Sequence, residues 1–218
     1  MADIFTPRLD ILPAPQRRLW EELAGLPKEF VLYGGTAVAL HLGHRESVDF
    51  DFFGNCAFEP MQLLPRMAFL TNATVTQRAP NTLSVSLDRG GPVKLSFFGL
   101  PDFKRVAPPH VAQGNGLKIA SLLDLAGTKA AVVQMRAEAK DYLDIDAMLN
   151  GGQVTLPLAL ASARAIYGHA FDAQSTLKAL SFFDDGNLRA LPQALKERLA
   201  KAARSVDLAR LPALAVAP

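Results

Sequence analysis

The chain has 218 residues, half of them hydrophobic and a fifth charged, and its 23 basic and 21 acidic side chains leave a net charge of +2. That is enough apolar material for one large domain or two small ones, and so balanced a charge does not by itself indicate a nucleic-acid binder, though it leaves room for a local basic groove. The single cysteine, Cys56, excludes an intramolecular disulfide and a multi-cysteine zinc site.

Taken in chain order, the start Met1-Ala2-Asp3-Ile4 lacks a basic-then-apolar leader. No apolar stretch approaches the roughly 20 residues that span a bilayer, so a cytoplasmic protein without membrane contact is expected. An entry helix is predicted over 15–25, with Leu19, Trp20 and Leu23 on one side. The apolar run Phe30-Val31-Leu32-Tyr33 reads as a buried strand. Gly34-Gly35 turns it, and Thr36 caps a short helix carrying Val38, Leu40 and Leu42. A strand over 48–53 sends Val48, Phe50 and Phe52 into a core, and Pro65 breaks a helix near Met61–Leu70. Runs at 73–78, 82–87 and 93–98, separated by Pro80-Asn81 and by Asp88-Arg89-Gly90-Gly91-Pro92, extend the sheet in antiparallel fashion. Pro101, Pro108, Pro109, Gly114 and Gly116 mark an irregular linker.

The second half reads as helical. Ser121-x-x-Asp124 resembles a capping box that opens a helix running through Lys129 towards Arg136. Further helices are expected from Ala139 to the Gly151-Gly152 stop and over 157–167, 174–183 and 191–204, with the last dozen residues loosely held. The fold class is therefore α/β (α+β): a mixed sheet with flanking helices over 1–112, then a helical region over 113–218.

Asp49 and Asp51 stand at i and i+2, so on a strand both carboxylates leave by one face. Twelve residues separate Asp49 from Gly34-Gly35-Thr36, a turn that lets backbone approach a ligand closely. The helix that follows directs free amides and a positive dipole end at an anion. Two carboxylate donors suit Mg²⁺ or Mn²⁺, with phosphate oxygens and water as the other ligands, and such an ion polarises both oxygens of an in-line phosphoryl displacement. Singly, each motif is only a tight turn or a polar-faced strand. Together, in this order and spacing, they outline a nucleotide's phosphates held over a divalent cation.

These residues resemble a known family. Val31 to Thr36 with His44 to Phe53 is similar to the signature of polymerase-β-type nucleotidyltransferases, and more narrowly to the AbiEii/AbiGii toxin branch. Leu122 to Lys129, then Arg136, then Lys140-Asp141-Tyr142-Leu143-Asp144, resembles that branch's helical motifs, and the likeness covers most of residues 14–185. The resemblance implies a metal-dependent transfer of a nucleoside monophosphate from a nucleoside triphosphate to a hydroxyl of RNA, including tRNA, or of protein. It implies Asp49 and Asp51 as metal ligands and Lys129 as the contact to the triphosphate, with Arg45 in a similar role. Asp141 and Asp144 complete the rear of the site, Lys140 moderates their repulsion, and a cognate antitoxin is the implied partner.

One departure stands out. Such enzymes draw a third carboxylate from a neighbouring strand, and the corresponding place in Val93-Lys94-Leu95-Ser96 is Ser96. A hydroxyl is a weaker Mg²⁺ ligand and a poor base near neutral pH. Three readings compete: an active site one carboxylate short, with reduced activity; a replacement acid such as Asp88 or Glu59; or a nucleotide-binding or partner-binding module without efficient transfer. The first is favoured. Elsewhere His110 and His169 read as isolated, His44 as a polar partner of the turn, and Cys56 as a small buried hydrophobe. Lys196–Arg210 reads as a solvated amphipathic helix, with an RNA-facing ridge as the minority reading.

Overall fold

The computed structural model describes residues 4–217; Met1, Ala2 and Asp3, on which the expectation about a leader falls, and the final Pro218 lie outside the described residues. The chain divides into two compact units, Met1–Phe103 with Pro109–Ala120, and Lys104–Pro108 with Ser121–Pro218.

The first unit carries a mixed sheet. Its strands are β1 (Ile4–Phe5), β2 (Phe30–Tyr33), β3 (Asp49–Gly54), β4 (Thr74–Ala79), β5 (Thr82–Asp88), β6 (Pro92–Gly99), β7 (His110–Ala112) and β8 (Lys118–Ile119). Across the sheet they run β1-β7-β8-β2-β3-β6-β5-β4. The all-apolar run of β2 is buried on both faces, as a central strand requires. In β3 the alternation is clean: Phe50 and Phe52 are buried, while Asp49, Asp51 and Phe53 are half-buried on the opposite face. Phe52 stacks on Phe97 at 5.3 Å, and Phe30 meets Phe97 edge-on at 5.3 Å. Burial of each such side chain stabilises the core by about 1.5–3 kcal/mol. The antiparallel extension β6-β5-β4 forms as expected, turning at Asn81 (φ 57°) and at Gly90-Gly91, whose amides both donate to the Asp88 carboxylate.

Helices α1 (Ala14–Trp20), α2 (Gly34–Leu42) and α3 (Pro60–Leu63) flank this sheet, and short 3-10 turns follow α1 and, from Leu64 onward, α3. Three local expectations are corrected. Val48 is 50 % exposed: β3 begins one residue later, so Val48 lies in the preceding loop, where the Gln16 amide donates to its carbonyl. The linker over 101–116 contributes β7 and leads into β8, since Val111 pairs with Ile4 and Ile119 lies beside Leu32; runs of two or three residues leave too little periodicity to read. His110 is not isolated: its ring meets His41 at 5.3 Å and Phe5 at 5.7 Å.

The second unit holds α4 (Leu122–Val132), α5 (Ala139–Asn150), α6 (Leu156–Tyr167), α7 (Ala173–Ala179) and α8 (Gln193–Arg204). Half of the capping box forms at α4: the Asp124 amide donates to Ser121 Oγ, while the Asp124 carboxylate accepts from the Ser121 hydroxyl rather than from its amide. Asp124 also accepts from the amides of Val106 and Ala107, tying that segment into the unit. Burial pushes its carboxyl above the ordinary aspartate range, against those hydrogen bonds. Helix α4 stops short of Arg136, and α7 ends at Ala179 rather than 183. Helix α8 buries Leu195, Leu199 and Ala203, and Arg198 makes a two-pronged bond to Asp146 of α5. The tail is held where the Ala217 amide donates to the Arg105 carbonyl. Among the described residues no helix is long and apolar enough to cross a membrane.

Candidate functional site

In the first unit, the glycine turn meets one of the two strand carboxylates, that of Asp51. Gly34 opens α2 with a φ of 71°, the left-handed region glycine enters without a Cβ penalty. A Cβ there would stand 2.7 Å from Asp51 Oδ2, so only glycine lets this carboxylate lie against the head of α2. Tyr33, the residue before Gly34, sits directly opposite Asp51 in the β2–β3 ladder. The first turn Gly34-Gly35-Thr36 thus presents its amide end beside one of the two acids. Thr36 does not cap the helix as expected; it lies inside the first turn, and Tyr33 occupies the cap position. The Thr36 hydroxyl donates to the Asp49 carbonyl and bonds to Ser47 Oγ at 2.8 Å, which pins the start of the acidic strand to α2. Arg45, in the intervening loop, donates to the Glu46 carbonyl.

The parallel register of β3 and β6 sets Asp49 beside Lys94, Asp51 beside Ser96, and Phe53 beside Phe98. Ser96 therefore stands directly beside Asp51 on the neighbouring strand. Ser96 is 3 % exposed, and Ser84 Oγ of β5 donates to its hydroxyl. Neither alternative acid stands in that register: Asp88 is spent on its own turn, and Glu59 precedes α3. On the same face Tyr33 stacks on Phe53 at 4.7 Å, and Phe103 meets both rings edge-on. That aromatic wall was not legible in the sequence, because Phe103 arrives from the stretch read as linker. Among the described residues no group of three or more His, Cys, Asp or Glu side chains could hold a metal ion. Two carboxylates backed by a helix start are nonetheless a donor set suited to a hard cation that draws its other ligands from phosphate and water.

In the second unit, Lys129, Asp141 and Asp144 are brought together. The Lys129 ammonium, 5 % exposed, reaches Asp141 Oδ1 at 2.7 Å and Asp144 Oδ2 at 2.6 Å. Arg136 adds a second cation, Nε donating to Asp141 Oδ2 at 2.8 Å. Burial would raise the Asp141 carboxyl, but Arg136 and Lys129 outweigh it and hold the group below the ordinary aspartate range. Lys140 was expected to moderate the two acids; it faces outward instead and pairs with Glu138 at 2.9 Å. The i, i+3 spacing put both acids on one face of α5, and Lys129 of α4 supplies the compensation.

The family model described as the AbiEii nucleotidyl transferase toxin of type IV toxin–antitoxin systems matches residues 18–215, a span that holds every site residue above. The chain belongs to the AbiEii nucleotidyltransferase toxin family. The AbiEii assignment agrees with the fold. The structure of MenT4, a nucleotidyltransferase toxin from Mycobacterium tuberculosis H37Rv, matches with a TM-score of 0.63 and 15 % identity over 89 % of this chain and 83 % of that one. An H. pylori structure assigned as a nucleotidyltransferase matches with a TM-score of 0.55 and 19 % identity, over 87 % of this chain and 90 % of its own. At these identities the likeness is one of fold. An uncharacterized protein of Aquifex aeolicus (strain VF5) is 30 % identical over 138 residues, 62 % of this chain. The match spans 65 % of that relative, just under two thirds of its length.

Proposed function

We propose that this AbiEii-family chain is a metal-dependent nucleotidyltransferase that moves a nucleoside monophosphate from a nucleoside triphosphate to a hydroxyl of RNA or protein, and that a cognate antitoxin restrains it. The observation that carries this reading is the approach of Asp51 to Gly34, with Asp49 on the same strand face. Mg²⁺ or Mn²⁺ bound by Asp49 and Asp51 supplies charge neutralisation at the phosphates. Gly34, Gly35 and Thr36 offer backbone amides and the positive end of α2 to the triphosphate, and Arg45 stands in the loop between that helix and the acids. The acceptor oxygen bonds to the α-phosphorus, the bond to the bridging oxygen breaks, and pyrophosphate leaves with that electron pair; the hydroxyl proton passes to water. Positioning and electrostatics dominate such transfers. Lys129, with Asp141 and Asp144 around it, is proposed as the triphosphate contact from α4. Ser96 lowers the rate without abolishing it, because Asp49 and Asp51 would still offer the ion two carboxylate donors.

The test is incubation with α-labelled nucleoside triphosphates, Mg²⁺ or Mn²⁺ and total RNA. Label should appear on RNA or protein, and Asp51→Asn should reduce it by at least about 100-fold. No label with the native chain would defeat the enzyme reading. The buried Ser96–Ser84 hydrogen bond favours one alternative, a nucleotide-binding module. Calorimetric nucleotide binding that needs metal but yields no turnover would support it.

A further inference from the structure

Register connects one row of side chains across four strands: Asp49 lies beside Lys94, Lys94 opposite Ser86, and Ser86 opposite Thr74. In-register residues of neighbouring strands share a face, so Lys94 projects on the same side of the sheet as both acids. It is exposed, and no ion pair or side-chain hydrogen bond engages it among the described residues. Beyond it the row reaches a shallow cleft of about 260 Å³ lined by Asn72, Thr74, Ser86, Leu87, Asp88 and Pro92.

The two flanks of β3 differ in kind. On one side lies β2, which runs into Gly34 and the amide end of α2; on the other lies β6, with Lys94 and Ser96. An in-line displacement holds the entering and leaving oxygens on opposite sides of the phosphorus. With the triphosphate against α2, pyrophosphate leaves on the β2 side and the acceptor enters over β6. An exposed cation on the entry side, one strand from the acids, suits an anionic group next to the attacking hydroxyl. A polynucleotide end carries a phosphodiester there, and strands about 4.8 Å apart put the polar cleft within reach of the preceding nucleotides.

We propose that Lys94 is the acceptor-side positioning residue of this site, binding a backbone phosphate of a single-stranded RNA end. This rests on the nucleotidyltransferase reading above. The experiment measures binding of a short fluorescein-labelled single-stranded RNA to the full chain by anisotropy across a salt series, beside calorimetry with nucleoside triphosphate. Lys94→Ala should weaken RNA binding about five- to tenfold and lower the slope of log K against log salt by about 0.7, the loss of one phosphate contact on a single strand. Nucleotide affinity should stay within about twofold, Lys94→Arg should restore most RNA affinity, and in the transfer assay KM for RNA should rise more than kcat falls.

Unchanged RNA binding, native protein that binds no RNA, label carried only by protein, or loss of nucleotide affinity in its place would each overturn the assignment. The two readings fail separately. Lys94-dependent RNA binding with no label transferred sinks the enzyme reading and leaves the RNA contact standing. Transfer to RNA with Lys94-independent binding does the reverse.

Discussion

His41 shows how a residue's surroundings set its chemistry. On α2 it packs its ring on Phe5 at 4.6 Å, and its Nε2 donates to the Ala120 carbonyl at 2.9 Å. Burial pushes its pKa down to about 4, against that hydrogen bond and with a further push from His110. The folded state therefore holds fewer protons than the unfolded chain between pH 4 and 6.5. Stability is full above the upper value and is lost as pH falls through this window. Moving from pH 7 to 5 should cost about 2 kcal/mol through His41 alone. His41→Gln keeps a donor for Ala120 and removes the titration, so chemical denaturation at the two pH values should differ by about that much less in the variant. Gly34 makes the same point from the opposite side: its missing Cβ is what admits the Asp51 carboxylate.

At the scale of elements, α4 is fixed by two unlike contacts. Towards α6 it presents Gly127, where an added Cβ would stand 2.9 Å from the Ala163 backbone nitrogen. Gly→Ala inside an exposed helix gains about 1 kcal/mol; here backbone cannot yield, and overpacking of about 1–3 kcal/mol should reverse the sign. Gly127→Ala is expected to lower the melting temperature. Towards α5, Lys129 neutralises two fully buried carboxylates. Lys129→Met leaves Asp144 short of that cation and should destabilise by about 3–5 kcal/mol, a fall in Tm of about 10 °C. Any loss of transfer in that variant therefore has to be compared with a thermal melt before it is credited to nucleotide contact. The sheet elements follow a simpler rule. The alternation of β3 fixed which side chains are buried, and the turn at Asp88–Gly91 fixed the pairing of β5 with β6.

At the scale of the molecule, the sequence by itself determined the class of fold, the order of its main elements, and the two motif blocks that mark an AbiEii nucleotidyltransferase. Period-2 and helical patterns, glycine turns and caps are local, and local sterics enforce them wherever the chain goes. Ser96 and Asp51 occupy matching positions of their strands, and parallel pairing sets the two side by side. Only the tertiary structure decided the rest. Thr36 became a tie to the Asp49 carbonyl rather than a cap, Val48 turned outward, and two short strands formed in the stretch read as linker and just beyond it. It likewise set Lys129, not Lys140, between Asp141 and Asp144, and Lys94 beside Asp49. Each of these depends on partners dozens of residues away or across a strand, where hydrogen-bond geometry and the cost of burying an unpaired charge choose among neighbours that no local pattern can rank.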